Sequence, residues 1–211
     1  MPAAPRALVF DLDQTLVRSP LDLRAMAQDL LVFLRDRGVA PPARDSRWSA
    51  PELARFVREQ APNLEDGFWQ IALAHEQRAL LQSELEPGAL ESLQAVRALG
   101  FRTAVWTNNG GAVTQTVLDR LALAPHLDLI VTRQEVRHLK PDPDGLRVID
   151  ERWPDLRETF VVGDSWVDGQ AAAAGGVPFI AYRADQEELK RRGVRVWAAI
   201  ARLIDLPALF S

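Results

Sequence analysis

Downstream of Pro87 the chain alternates helix-period and strand-period segments, and this rhythm limits the possible folds more than any other feature. Helical patterns at Gly88–Leu99, Val113–Leu121, Pro143–Arg152 and Trp166–Ala174 each lead into a short apolar run. Those runs, at residues 102–106, 127–131, 159–162 and 178–181, read as buried strands. Such alternation specifies a parallel sheet covered by helices on both faces. Ala7–Phe10, an apolar run that stops at Asp11, reads as a further strand of that sheet. The expected fold class is therefore α/β, a Rossmann-like parallel sheet with helices on both faces.

Residues 18–86 break the rhythm. Leu21–Arg37 carries apolar residues at helical spacing and ends at Gly38. Ser49, followed by Pro51 and Glu52, reads as a helix start with a capping box, and that helix runs to about Glu59. A third pattern spans Leu64–Leu85. The chain thus reads as a catalytic core (1–17 and 87–211) interrupted by an all-helical domain (18–86). Its 211 residues suffice for one well-buried core plus a small accessory domain.

Composition narrows the chemistry. There is no cysteine, which rules out disulfides, thiolate catalysis and cysteine-bound metals. The net charge of −4 leaves no basic footprint for nucleic acid, so no nucleic-acid partner is expected. The run before Asp11 is too short for a signal-peptide core, and Ala171–Tyr182 is broken by Gly175, Gly176 and Pro178. The expectation is a cytoplasmic protein without a membrane partner. Lys140 and Lys190 are the only lysines, so lysine-dependent chemistry is easy to locate.

In open parallel sheets ligands bind outside the carboxyl ends of the strands. The residues that follow the strands here are Asp11-Leu12-Asp13-Gln14-Thr15, Thr107-Asn108-Asn109-Gly110-Gly111, His138-Leu139-Lys140-Pro141-Asp142, and Gly163-Asp164-Ser165-Trp166-Val167-Asp168. One edge thus receives paired carboxylates twice, a hydroxyl and an ammonium. Crowded carboxylates raise one another's pKa values. A hard divalent cation removes the conflict, and oxygen ligands suit magnesium. Carboxylate nucleophile, magnesium and lysine together meet the needs of phosphoryl transfer. Taken singly, each residue has a plainer role. Asp11 and Asp13 could cap a turn, Thr107 or Asp164 could cap a helix, Asp168 could complement a helix dipole, and Lys140 could be solvated. Their joint order favours chemistry.

Phe10-Asp11-Leu12-Asp13-Gln14-Thr15-Leu16 resembles the first motif of the haloacid dehalogenase superfamily. Val105-Trp106-Thr107-Asn108 resembles the second, Lys140-Pro141 the third, and Gly163-Asp164-Ser165-x-x-Asp168 the fourth. The layout is similar to the phosphoglycolate-phosphatase-like branch, with the helical block where that superfamily places a specificity cap. Gln14 is a departure, standing where many phosphatase members have Gly. The resemblance implies an aspartyl-phosphate mechanism on a small phosphorylated metabolite. Asp11 would be the nucleophile and Asp13 the general acid and base. Thr107, the Asn108 backbone N–H and Lys140 would bind the phosphoryl group. Asp11, the Asp13 carbonyl, Asp164 and Asp168 would hold Mg2+, Asp168 directly or in support.

Three related chemistries can be weighed on residues. Haloacid dehalogenases lack the second Asp, which is present here as Asp13. Phosphonate hydrolases need a cap lysine, and residues 18–86 contain none. Sugar-phosphate mutases keep both Asp residues and stay the nearest rival; a non-catalytic phospho-ligand-binding protein is the rival from another class. The cap offers Arg18, Arg24, Arg44, Arg47, Arg55, Arg58 and His75 as readers of a substrate anion, without distinguishing among them. Trp48 and Trp69 read as core. His75, His126 and His138 show no metal-ligand spacing. Oligomeric state is left unassigned.

Overall fold

The structure is a computed structural model that describes residues 5–211. In chain order the strands are β1 (Arg6–Phe10), β2 (Val17–Arg18), β3 (Glu84–Leu85), β4 (Phe101–Trp106), β5 (Leu129–Val131), β6 (Glu158–Gly163), β7 (Phe179–Tyr182) and β8 (Ala198–Ile200). The α-helices are α1 (Leu23–Arg35), α2 (Ala50–Gln60), α3 (Glu65–Leu80), α4 (Ala89–Ala98), α5 (Gly111–Arg120), α6 (Asp144–Arg152), α7 (Trp166–Ala174) and α8 (Gln186–Arg191). The chain divides into two compact units: Pro20–Gln82, and everything described on either side of it.

The larger unit holds a six-stranded sheet in the order β5-β4-β1-β6-β7-β8, with every neighbouring pair parallel. Right-handed crossovers are the rule for parallel strands. Strands β4 and β5 build outward on one side of β1, and β6, β7 and β8 on the other, so the helices fall on both faces. One face packs Val9, Ala104, Trp106, Val161, Phe179 and Ala181 against Leu146 and Ile149 of α6, Ala171 and Ala172 of α7, and Leu189 of α8. The strand order reverses direction at β1, so the crevice expected of such sheets lies beyond its last residue, where Asp11 follows. The expected α/β sheet is thus present, with strand ends shifted by a residue or two.

Several elements differ from the sequence expectation. The third helical pattern stops at Leu80, and Leu81 is 80% exposed, so the apolar rhythm beyond it marks no core. Strands β2 and β3 pair antiparallel, Val17 with Leu85 and Arg18 with Glu84. That ribbon ties residues 18–19 and 83–86 to the core unit, so the helical unit lies inside the 18–86 span read from the sequence. A sixth sheet strand, β8, and a closing 3-10 helix at Leu203–Phe210 follow β7.

Within the helical unit, Asp22 caps α1 by accepting from the N–H groups of Arg24 and Ala25. The Ser49–Glu52 capping box expected from sequence opens α2: the Glu52 carboxylate accepts from Ser49 N at 2.8 Å and Ser49 Oγ at 2.7 Å. Arg44 also grips Glu52, and these bonds hold its carboxyl down at about 2. Phe68 is fully buried in this unit, while Trp69, half-buried, meets it edge-on at 5.0 Å.

Candidate active site

The loop after β1 is tightly wound. Leu16 and Val17 N–H both donate to the Leu12 carbonyl at 2.9 Å, and Gln14 N–H donates to the Val17 carbonyl at 2.7 Å. This turn puts Gln14 at φ 58°, the left-handed region that favours glycine. A side chain there costs roughly 1–2 kcal/mol. Part of that cost is offset because the Gln14 amide donates to the Ser19 carbonyl. The Ser19 hydroxyl in turn hydrogen-bonds Asp13. The departure at Gln14 therefore leaves the turn intact and braces it.

Asp11 N–H continues the β1–β6 ladder by donating to the Val162 carbonyl at 2.9 Å, which carries Asp11 to the end of β6. Thr107 N–H does the same towards the Val131 carbonyl at 3.0 Å. Lys140 closes the group. Its Nζ, in a side chain only 3% exposed, donates to Asp11 Oδ1 at 2.5 Å, Asp168 Oδ1 at 2.6 Å and the Trp106 carbonyl at 2.8 Å. An ammonium has three donors, and all three are used.

Asp168 is fixed on its other side. Ser165 caps α7 and donates through Oγ to Asp168 Oδ2 at 2.6 Å. Gly163 permits the approach: a Cβ there would lie 2.6–2.7 Å from the Asp168 side chain. Asp13 accepts from Asn109 Nδ2 at 2.5 Å, and Asn109 N–H donates to Thr107 Oγ1 at 3.2 Å. Asn108 faces elsewhere. Its amide exchanges hydrogen bonds with the Lys140 backbone, 2.9 Å to its Oδ1 and 3.1 Å from its Nδ2, and so holds the lysine's segment to the end of β4.

Electrostatics follow from this crowding. Burial pushes the Asp11 carboxyl well above the usual carboxylate range; Lys140 opposes that rise, while Asp168, Asp164 and Asp13 add to it. Burial also raises Asp13, against the hydrogen bonds from Ser19 and Asn109. Asp164 is pushed up to about 7, by burial first and then by Asp168. Burial pulls the Lys140 pKa down, but Asp11 and Asp168 outweigh it and hold the ammonium above the ordinary lysine value.

The donor set fits a hard cation. Carboxylate oxygens of Asp11, Asp164 and Asp168 all lie within 4.8 Å of one another. With Asp13 beside them, four carboxylates face one ammonium. An oxygen-ligated divalent ion balances that excess without requiring the carboxyls to take up protons.

The sequence singled out Asp11, Asp13, Thr107, Asn108, Lys140, Asp164 and Asp168, and all lie at the carboxyl edge of the core sheet. Asn109, Ser165 and the Trp106 carbonyl were missed. Ser165-x-x-Asp168 carries a capping-box signal that could have revealed Ser165. His138 has company that its spacing did not announce: ligand atoms of His138, Asp142 and Asp144 lie within 4.8 Å. That group already contains a cation, because Arg147 pairs with Asp144 and lies 3.7 Å from Asp142. In the helical unit several candidate anion readers are engaged: Arg44 by Glu52, Arg58 by Glu65 at 2.7 Å, and His75 by Asp29 at 2.8 Å.

Comparison with known proteins agrees with this geometry. The family described as haloacid dehalogenase-like hydrolase matches residues 8–182. Phosphoglycolate phosphatase of Rhodospirillum rubrum is 31% identical over 189 residues, 83% of this chain and 78% of its own. That of Rhodobacter capsulatus is 28% identical, over 83% of each chain. Among solved structures, a hydrolase from Pseudomonas syringae superposes with a TM-score of 0.71 at 22% identity, covering 97% of both chains. A subfamily IA hydrolase from Geobacter sulfurreducens gives 0.63, covering 99% of this chain and 97% of its own. With the family matched across most of its length, the chain belongs to the haloacid dehalogenase-like hydrolases. Within them it falls in the phosphoglycolate-phosphatase-like branch, which makes it an enzyme of the phosphoric monoester hydrolase class. Among the described residues, no helix is long and apolar enough to cross a membrane.

Proposed function

We propose that this enzyme hydrolyses small phosphate monoesters with magnesium, through an aspartyl-phosphate on Asp11. The observation that carries the reading is the lysine bridge: one buried ammonium fixes Asp11 and Asp168 together at the sheet edge, with Asp13 held alongside by Asn109. A bound magnesium ion, held by Asp11, Asp164 and the Asp13 carbonyl, would neutralise phosphoryl oxygens. Both Asp168 oxygens already accept bonds from the chain, which favours a supporting role for it.

Lys140 fixes Oδ1 of Asp11, and attack on phosphorus falls to the other oxygen. As the bond from phosphorus to the ester oxygen breaks, Asp13 delivers a proton to that oxygen. Asp13 then takes a proton from water, whose oxygen attacks phosphorus and frees Asp11. Thr107 Oγ1 and the N–H of Asn108 bind phosphoryl oxygens through both steps. The helical unit is assigned substrate preference on the family resemblance. The relatives' names make 2-phosphoglycolate the first ester to compare with an aryl phosphate.

Two outcomes test this reading. Chelation should abolish hydrolysis and magnesium should restore it, with calcium a poor substitute because its looser, higher coordination can capture the attacking carboxylate as a bidentate ligand. Full activity in the presence of chelator would sink the metal assignment. Asp13→Asn should slow steady-state turnover by roughly 10²–10⁴. With a good leaving group the first step needs little protonation, so rapid quench should show a burst and accumulated phosphoenzyme. Unchanged steady-state hydrolysis in this variant would refute the assigned role.

A further inference from the structure

We infer that Trp106 is a positioning residue for the Lys140 ammonium, and that Gly145 is the gap that admits its indole; this rests on the function proposed above. Trp106 is the last residue of β4 and 1% exposed. It meets the lysine twice. Its carbonyl accepts from Nζ at 2.8 Å, and its ring lies beneath Nζ with the centroid 5.2 Å away. An ammonium within about 6 Å of a ring face is attracted to it, most strongly for an indole and most of all when desolvated.

Gly145, in the first turn of α6, makes room for the ring. A Cβ on Gly145 would lie 2.6 Å from Trp106 Cδ1 and closer still to Nε1 and Cε2. The indole Nε1 finds no protein acceptor among the described residues, so packing rather than its own hydrogen bond sets the ring's place. A buried N–H of this kind is a costly filler. Phe or Leu would fill most of the volume without it. What the indole adds is a π face that Leu lacks, and a stronger one than Phe offers, under the one ammonium of the site.

The test combines kinetics with a signal independent of activity. Lys140 and Lys190 are the only lysines, so lysine-15N-labelled protein gives one buried and one exposed ammonium signal. In the wild type the Lys140 protons should exchange slowly with solvent, with Lys190 as internal reference. In Trp106→Leu exchange should accelerate, and kcat on an aryl phosphate with magnesium should fall about 5- to 30-fold at nearly constant KM. Trp106→Phe should recover most of that kcat, because it keeps a π face. Gly145→Ala should mimic Trp106→Leu, yet add less than about twofold in the double variant, because no indole is left to displace.

A Lys140 signal unaltered by Trp106→Leu would overturn the inference. So would kcat losses that simply follow thermal stability across the set, or a Gly145→Ala cost that is equal in both backgrounds. Wild-type protein that hydrolyses no phosphate ester would sink the proposed function instead, and the lysine signal would still decide the role of Trp106.

Discussion

Asp11→Asn is expected to form no phosphoenzyme and to lower turnover by at least ~10³, the scale seen when one member of a catalytic unit is removed. An amide is nearly isosteric with the carboxylate but does not attack phosphorus. The fold should tolerate it. Asp11 is held well above its ordinary pKa by burial and by Asp168, Asp164 and Asp13, so exchange for a neutral group relieves repulsion. Lys140 exchanges a charged acceptor for a neutral amide oxygen and keeps Asp168 and the Trp106 carbonyl. A thermal midpoint near or above that of the wild type is the expected result. Rapid quench with a phosphate-labelled substrate, followed by peptide mapping of wild type and Asp13→Asn, reads the intermediate. A label on any residue other than Asp11 would show the nucleophile to be misassigned.

The core was legible because its signals are local. Five of the six sheet strands are short apolar runs, as a buried parallel strand has to be, and four of them lead into the polar motifs. β8 escaped because Ala198-Ala199-Ile200 carries little apolar weight and sits at the sheet edge. The β2–β3 ribbon escaped for another reason. Each strand is two residues long, and its partner lies on the far side of the helical insertion, so no window of sequence contains the pairing.

The same division runs through the site. Asp11, Asp13, Lys140, Asp164 and Asp168 were visible because charge at strand ends is conspicuous. Which neighbours hold them was not. Of two adjacent asparagines, Asn109 reaches Asp13 while Asn108 clasps the Lys140 backbone, a choice made by the backbone's direction as it leaves β4. Gly163 and Gly145 both make room for a neighbouring side chain, Asp168 in one case and Trp106 in the other. A one-dimensional reading sees two glycines and neither neighbour. Gln14 is the converse case. It stands where the resemblance leads one to expect Gly, yet the turn is left-handed there all the same and Gln14 is tied to Ser19.

Lys140→Met should be the most damaging substitution at the site, because it affects stability and chemistry together. Lys140 is the one ammonium among four carboxylates, and its partners Asp11 and Asp168 have side chains only 13% and 3% exposed. Removing one member of a buried ion pair commonly costs about 3–5 kcal/mol, since the remaining charge is left uncompensated. For a chain of this size that corresponds to a fall in Tm of roughly 6–20 °C. Activity should drop by at least ~10³, because the charge that offsets repulsion between Asp11 and an incoming phosphoryl group is lost. The deficit in stability should shrink as pH falls. Burial already raises the Asp11 pKa above its unfolded value, so the folded chain binds this proton more tightly and gains relative stability as protons become available. Magnesium should also restore part of the Tm, by replacing positive charge at Asp11 and Asp164, without restoring turnover. Thermal melts across pH, with and without magnesium, separate these contributions. A Lys140→Met protein that melts with the wild type at neutral pH in chelator would mean that the lysine bridge does not hold the site together.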